Sequence, residues 1–173
     1  MKKALIIILL LLTSSTVQAV DGYKSFTFGM TLNQLKYLNT CSFAEDNPKT
    51  WYKWFRDFSR LIVYTCSDYK LGDRKIKVSL TFIDRKLHKI TLVHSGSTKY
   101  NEMLMELLKS KYGFIPGSSS VNLATTLFKF MDQTVEAEVI HPPAKTLLVH
   151  YFSDQFGWFM SKDPQDRKLI DEL

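Results

Sequence analysis

The sequence predicts an α+β fold, a largely antiparallel sheet with helices packed on one face, arranged as two helix-plus-three-strand halves in tandem. Three observations predict it. Ile76, Val78, Leu80 and Phe82 alternate with Lys77, Ser79 and Thr81, the period-two pattern of a half-buried strand, and Asp84-Arg85-Lys86 turns the chain into a second β-rich run, Leu87–Val93. Thr31-Leu32-Asn33-Gln34 matches the T-x-x-Q capping box that opens a helix, and Tyr100, Met103, Leu104, Leu107, Leu108 and Lys111 recur at helical spacing. The order helix-then-strands occurs once before Ser95-Gly96-Ser97 and once after it.

The elements follow in order. Tyr23 to Phe28 alternates and reads as a short strand ended by Gly29. The capping-box helix carries Leu32, Leu35 and Leu38 as its apolar stripe. Asn47-Pro48 starts a second helix with proline at its first position, where no N–H is needed. Trp51, Trp54, Phe55 and Phe58 then fall on one helical face and read as a core stripe, which leaves Tyr52, Lys53 and Arg56 on the outer face. Arg60 to Cys66 is β-rich. Thr98 is the expected cap of the mid-chain helix, which stops at Gly113. Gly117-Ser118-Ser119-Ser120 reads as a loop, Leu123–Met131 and Thr134–Ile140 as strands, and Thr146–Phe152 as a strand apolar on both faces. Asp163-Pro164 opens a terminal helix with Leu169, Ile170 and Leu173.

With 173 residues, 45% apolar and 23% charged, the chain has mass for a real core, which excludes disorder, a collagen and a polytopic membrane protein. Lys2 and Lys3 followed by the apolar run Ala4 to Leu12, with small residues Val17 and Ala19 at −3 and −1, predict a signal peptide at residues 1–19 cleaved before Val20. That run is too short to cross about 30 Å of hydrocarbon as a helix. The expected address is the periplasm or the medium of a bacterium, with residues 20–94 and 95–173 as the two halves of one compact domain. In an oxidising compartment, the chain's two cysteines, Cys41 and Cys66, favour a disulfide. Neither has a C-x-x-C partner or a nearby histidine that would point to a nucleophile or a metal ligand.

The segment Phe28-Gly29-Met30-Thr31-Leu32-Asn33-Gln34-Leu35 resembles the FGMT-x-x-Q-(V/L) opening shared by the SmpA/OmlA-type outer-membrane-assembly lipoproteins and the β-lactamase-inhibitor proteins. Leu80-Thr81-Phe82-Ile83-Asp84-Arg85-Lys86-Leu87 is similar to their L-x-F-x-D-G-K-L hairpin, with Arg85 where glycine is usual. Leu108 to Gly113 is similar to the L-K-x-K-Y-G that often follows in exported bacterial proteins of this kind. The resemblance covers roughly residues 23–115. It implies a disulfide between a cysteine after the helix and one on the next strand, the places of Cys41 and Cys66, and a protein-binding or envelope-associated module.

Catalytic motifs are missing from the sequence. There is no G-x-S-x-G, no S-x-x-K, no H-E-x-x-H and no glycine-rich phosphate loop, so no cofactor and no metal is expected. His88, His94, His141 and His150 are spread over three strand-like segments, and Glu136 and Glu138 read as a solvated strand face. Charge is more telling. The formal +6 falls to +4 without Lys2 and Lys3, yet residues 70–89 alone carry +5. Lys75, Lys77, Arg85, Lys86 and Lys89 are therefore contact candidates beside Tyr52, Lys53 and Arg56, and the pleat should gather the lysines on one outer face with Lys86 and Lys89 close to Lys75 and Lys77. Such a patch steers toward an anionic partner, an acidic protein, lipopolysaccharide or another envelope polymer. Nucleic acid is disfavoured by export and by the lack of a binding fold. The expectation is a stoichiometric binder rather than an enzyme: an inhibitor, an immunity factor or an assembly accessory. The rival readings are an enzyme acting on an envelope polymer and a structural protein of the envelope surface.

Overall fold

The structure is a computed structural model that describes residues 21–51, 60–121, 124–141 and 146–156. Its elements are β1 (Gly22–Tyr23), β2 (Phe26–Thr27), α1 (Leu32–Tyr37), β3 (Phe43–Asp46), α2 (Pro48–Trp51), β4 (Leu61–Leu71), β5 (Arg74–Ile83), β6 (Lys86–Ser95), α3 (Thr98–Tyr112), β7 (Ser120–Val121), β8 (Thr125–Lys129), β9 (Val135–Ile140) and β10 (Thr146–Phe152). The cleavage before Val20, the Tyr52–Lys53–Arg56 face, Trp54, Phe55 and Phe58 of the aromatic stripe, and the terminal helix lie outside the described residues.

Apart from the β1–β2 hairpin, the strands form one eight-stranded sheet in the order β3-β4-β5-β6-β10-β9-β8-β7. Every pairing in it is antiparallel. The two meanders meet where β6 pairs β10, from Ser95 opposite Thr146 to Lys89 opposite Phe152. This central pair makes the sheet continuous across the chain's midpoint.

Alternation decides what faces the helices. Ile76, Val78, Leu80 and Phe82 of β5 lie with Ile90 and Leu92 of β6, Leu147, Val149 and Tyr151 of β10, and Val135 and Ala137 of β9 in one buried cluster. Phe26, Leu35 of α1 and Met105 of α3 close it from the other side. Each fully buried aliphatic or aromatic side chain there contributes about 1.5–3 kcal/mol.

The capping box forms as the sequence predicts. The Thr31 N–H donates to Gln34 Oε1 at 2.8 Å, and the Gln34 N–H donates to Thr31 Oγ1 at 3.4 Å. α3 ends at Gly113, whose φ of 70° is the left-handed turn that a glycine permits at a helix end. Its cap is Ser97, not Thr98: the Ser97 hydroxyl accepts the Tyr100 N–H at 3.3 Å, which leaves Thr98 as the first helical residue. Tyr23–Phe28 is a tight hairpin rather than one strand, because Lys24 turns the chain at φ 52°. The loop read at 117–120 yields an edge strand at its end, with Ser120 paired to Leu127.

A further departure concerns the sheet's second face. Alternation predicts solvent at Ser79 and Thr81, yet both are 2% exposed, and Val63 beside them is fully buried. Polarity alternates along β5, but exposure does not.

Candidate functional site

β5 and β6 are joined at Asp84 and Arg85, whose φ values of 50° and 63° are those of a two-residue type I′ turn. Lys75 and Lys77 begin β5, whereas Arg85 and Lys86 lie at its far end. Ten residues of strand put about 33 Å between Lys75 and Arg85. Lys89 pairs with Thr81, about 13 Å along the strand from Lys77. The expected single patch is thus divided. The hairpin turns at the end opposite to Lys75, so the register that puts Lys77 and Lys89 on one face also holds them apart. At the β5–β6 turn, Arg60 makes a two-pronged salt bridge to Asp84, with Nε 2.7 Å from Oδ1 and Nη2 on Oδ2. That guanidinium holds the Asp84 carboxyl below its ordinary range.

Basic charge gathers at the other end. Lys70 pairs with Lys75 and Leu71 with Arg74 across the β4–β5 hairpin. Two cavities flank Lys75. One, of about 550 Å³, is lined by Lys24, Lys70 and Lys75 with Ser25, Ser42 and Asp68. The other, of about 520 Å³, is lined by Arg74, Lys75, Lys77, His94 and Tyr100. In the second, the Arg74 guanidinium lies 3.9 Å from the Tyr100 ring centroid and the His94 ring 5.8 Å from it. Burial, then Arg74, lowers the His94 pKa and keeps the imidazole neutral.

The first cavity rests on the disulfide. Cys41 and Cys66 are bonded, with Cα atoms 5.9 Å apart, which ties the segment after α1 to β4 as the sequence predicts. Asp68 accepts the Ser42 N–H at 3.2 Å and lies 3.6 Å from Cys66 Sγ. Cys41, Cys66 and Asp68 converge within 4.8 Å, but both sulfurs are spent in the disulfide and neither can ligate a metal as a thiolate.

A second constellation lies across the sheet. Thr65, Ser79, Thr91, His150, Glu136 and Lys129 stand directly opposite one another across β4, β5, β6, β10, β9 and β8, a polar row on the face away from α1 and α3. His150 is buried, with Nδ1 3.0 Å from Thr91 Oγ1 and Nε2 3.5 Å from Glu138 Oε2. A neutral ring that accepts from Thr91 and donates to Glu138 satisfies both contacts. Burial, then Lys89, pushes the His150 pKa down to about 4. Lys89 is itself pushed down to about 8 by burial, against the pull of Glu136 and Glu138, with its ammonium 5.0 Å from the Phe152 ring and 5.5 Å from that of Phe156. Burial raises Glu136, while the hydrogen bond from His150 lowers Glu138. So Lys89, Glu136 and Glu138, placed on solvated faces by the sequence, belong to one network. The remaining histidines are held separately: His88 Nδ1 lies 2.8 Å from Ser153 Oγ, and His141 Nε2 lies 2.7 Å from Thr126 Oγ1. The signal in the sequence is three hydroxyls, Thr65, Ser79 and Thr91, each flanked on both sides by apolar residues of its strand.

Among known proteins, no solved structure matches this chain. An uncharacterised protein of Pasteurella multocida (strain Pm70), PM0314, is 34% identical over 98 residues, which cover 54% of this chain and 47% of that relative. The chain therefore spans about half the length of the curated relative it matches. A protein family described as "Uncharacterised protein" matches residues 23–155, most of the sequence and all of β2 to β10, and the chain belongs to that family.

Proposed function

We propose that the protein is an exported bacterial binding protein that acts by stoichiometric contact with a protein or an anionic envelope component, as an inhibitor, an immunity factor or an assembly accessory. The carrying observation is that one exposed lysine, Lys75, is shared by two basic cavities at the β4–β5 end of the sheet. Exposed cations around a concavity raise the association rate of an anionic partner without stabilising the fold. Support for export comes from the Cys41–Cys66 disulfide. Among the described residues, no helix is long and apolar enough to cross a membrane. Two helix-led meanders meeting at β6 and β10 also support a tandem origin for the halves.

A second reading, an enzyme acting on an envelope polymer, draws on the His150–Glu138 pair beside the raised Glu136. Neither of the two cavities that flank Lys75 is lined by these three residues. Affinity capture from a periplasmic extract with the tagged, disulfide-bonded chain tests the first reading. One component should co-purify at fixed stoichiometry, and His150→Ala should leave its capture intact. A general acid–base role would instead show as a loss of about 10²–10⁴-fold in turnover of an envelope polymer by His150→Ala.

A further inference from the structure

Lys24 occupies a backbone position that a lysine does not favour. Its φ of 52° lies in the left-handed region, where glycine or asparagine is at ease and a long side chain is strained. Lys24 lines the cavity beside the disulfide, with its ammonium group 5.8 Å from the Tyr23 ring centroid. Lys70 and Lys75 bring two more from the β4–β5 hairpin, and Ser25 and Ser42 add hydroxyls. Asn39, also in the left-handed region at φ 47°, lines the same cavity from the segment after α1.

The wall offers many donors and few acceptors. Each lysine carries three N–H donors and no acceptor. The carboxylate facing the cavity is that of Asp68, and it accepts the Ser42 N–H at 3.2 Å within the wall itself. Three cations against one anion leave the lining at +2. A carboxylate ligand presents two oxygens and a single charge. A phosphate monoester presents three acceptor oxygens and about −1.5 to −2 charge, which matches both the donor surplus and the charge. The disulfide pins the Asn39–Ser42 wall to β4, and the β4–β5 register sets Lys70 opposite Lys75, so two of the three lysines are held side by side before any ligand arrives.

We infer that this cavity is a phosphate-binding site, which takes a phosphate ester carried either by a lipid headgroup or by a free phosphorylated molecule. The inference rests on the proposed reading of the β4–β5 end as the contact surface and names the chemical group that this surface grips.

Calorimetric titration of the disulfide-bonded chain with inorganic phosphate and with glycerol phosphate should show one saturable site. Co-sedimentation with phosphatidylcholine vesicles, with and without phosphatidic acid, separates the two sources: retention that needs phosphatidic acid assigns the headgroup, and phosphate binding without it assigns the free ester. Lys24→Asn should weaken phosphate binding about five-fold while the melting temperature holds or rises, since asparagine tolerates φ 52°. A purely structural Lys24 cannot give that opposed pair of effects. Lys70→Gln, on an exposed strand end, should weaken binding to a similar degree, and Lys86→Gln at the far turn should not. Absence of saturable phosphate binding in every arm, or binding unchanged in both Lys24→Asn and Lys70→Gln, overturns the inference. If the phosphate arms fail while Lys75→Glu with Lys77→Glu still loses the captured partner, the binding function stands without the phosphate site.

Discussion

His150 and Thr91 face each other across the central strand pair of the sheet, imidazole Nδ1 3.0 Å from hydroxyl Oγ1. A charged ring could not accept that bond, and its burial excludes the water that would solvate the charge. The neutral ring is therefore favoured by the fold, with a pKa of about 4 against an ordinary 6.5. The unfolded chain binds a proton at this residue near pH 6.5, whereas the folded chain does so only near pH 4. The stabilisation is fully present above pH 6.5 and is lost as the pH falls toward 4.

Between pH 7 and pH 5 His150 should remove about 2 kcal/mol of stability, and Glu136, raised by burial, acts against it at the acid end of that window. His88 and His94, also lowered by burial, act in the same direction as His150. Lys89, at about 8, changes charge outside this window. Urea unfolding at several pH values should show the decline, and His150→Gln should flatten most of it. An equal slope in wild type and His150→Gln would remove the residue as its source.

The Cys41–Cys66 bridge closes a loop with a sequence separation of 25. A loop of that length restricts the unfolded chain enough to stabilise the fold by about 3 kcal/mol. Cys41→Ala with Cys66→Ala should cost that much in chemical denaturation and should loosen the cavity lined by Lys24, Lys70 and Lys75. Thiol titration of the folded, unreduced wild type should find no reactive group.

Local signals and register divided the legible from the illegible. Thr31 and Gln34 fix a helix start within four residues, and Ile76 to Phe82 fix a strand face by alternation alone, so both could be read directly. The position of Lys75 relative to Lys86 depends on where a hairpin turns, and that too was written in Asp84-Arg85. The separation of the two charges along β5 follows from that turn, which corrects the expectation of a single patch. The row from Thr65 to Lys129 was beyond reach, because it needs the register of five strand pairs at once. Likewise, Ser79 and Thr81 alternate with apolar residues as solvent-facing side chains do, and a short hydroxyl is equally at home where it is buried. Sequence polarity reports what a side chain can bond to, and burial depends on what the rest of the chain lays over it.

Arg85 has φ 63° at the second central position of the β5–β6 turn, the place where glycine relieves the strain of a left-handed residue. Arg85→Gly should stabilise the protein by about 1 kcal/mol, a gain of several degrees in melting temperature. Arg85 was a contact candidate, and the structure sets it about 33 Å from Lys75. Association with the captured partner should therefore be unchanged by Arg85→Gly. A stability gain accompanied by weaker association would return this turn to the contact surface.

The division of the basic residues gives the sharpest test of where the partner sits. Lys75 is exposed, and Lys77 lies 3.9 Å from the Asp46 carboxylate with both side chains partly in solvent. Surface pairs of this kind contribute about 0–1 kcal/mol, so Lys75→Glu with Lys77→Glu should leave the melting temperature nearly unchanged. It turns the ridge between the two cavities from positive to negative, and the association rate with the captured partner should fall about ten-fold or more. Lys86→Glu is the matched control: it reverses a charge on the same hairpin, beyond the reach of screened electrostatics, since the Debye length is about 10 Å at 0.1 M salt. Wild-type association should slow as salt rises from about 50 to 300 mM, and the reversed variant should lose most of that dependence. Stopped-flow or surface-based kinetics on the three proteins decide the matter. Equal effects from the two ends of β5 would mean that net charge, not the Lys75 ridge, draws the partner, and an effect from Lys86 alone would move the contact surface to the Arg60–Asp84 turn.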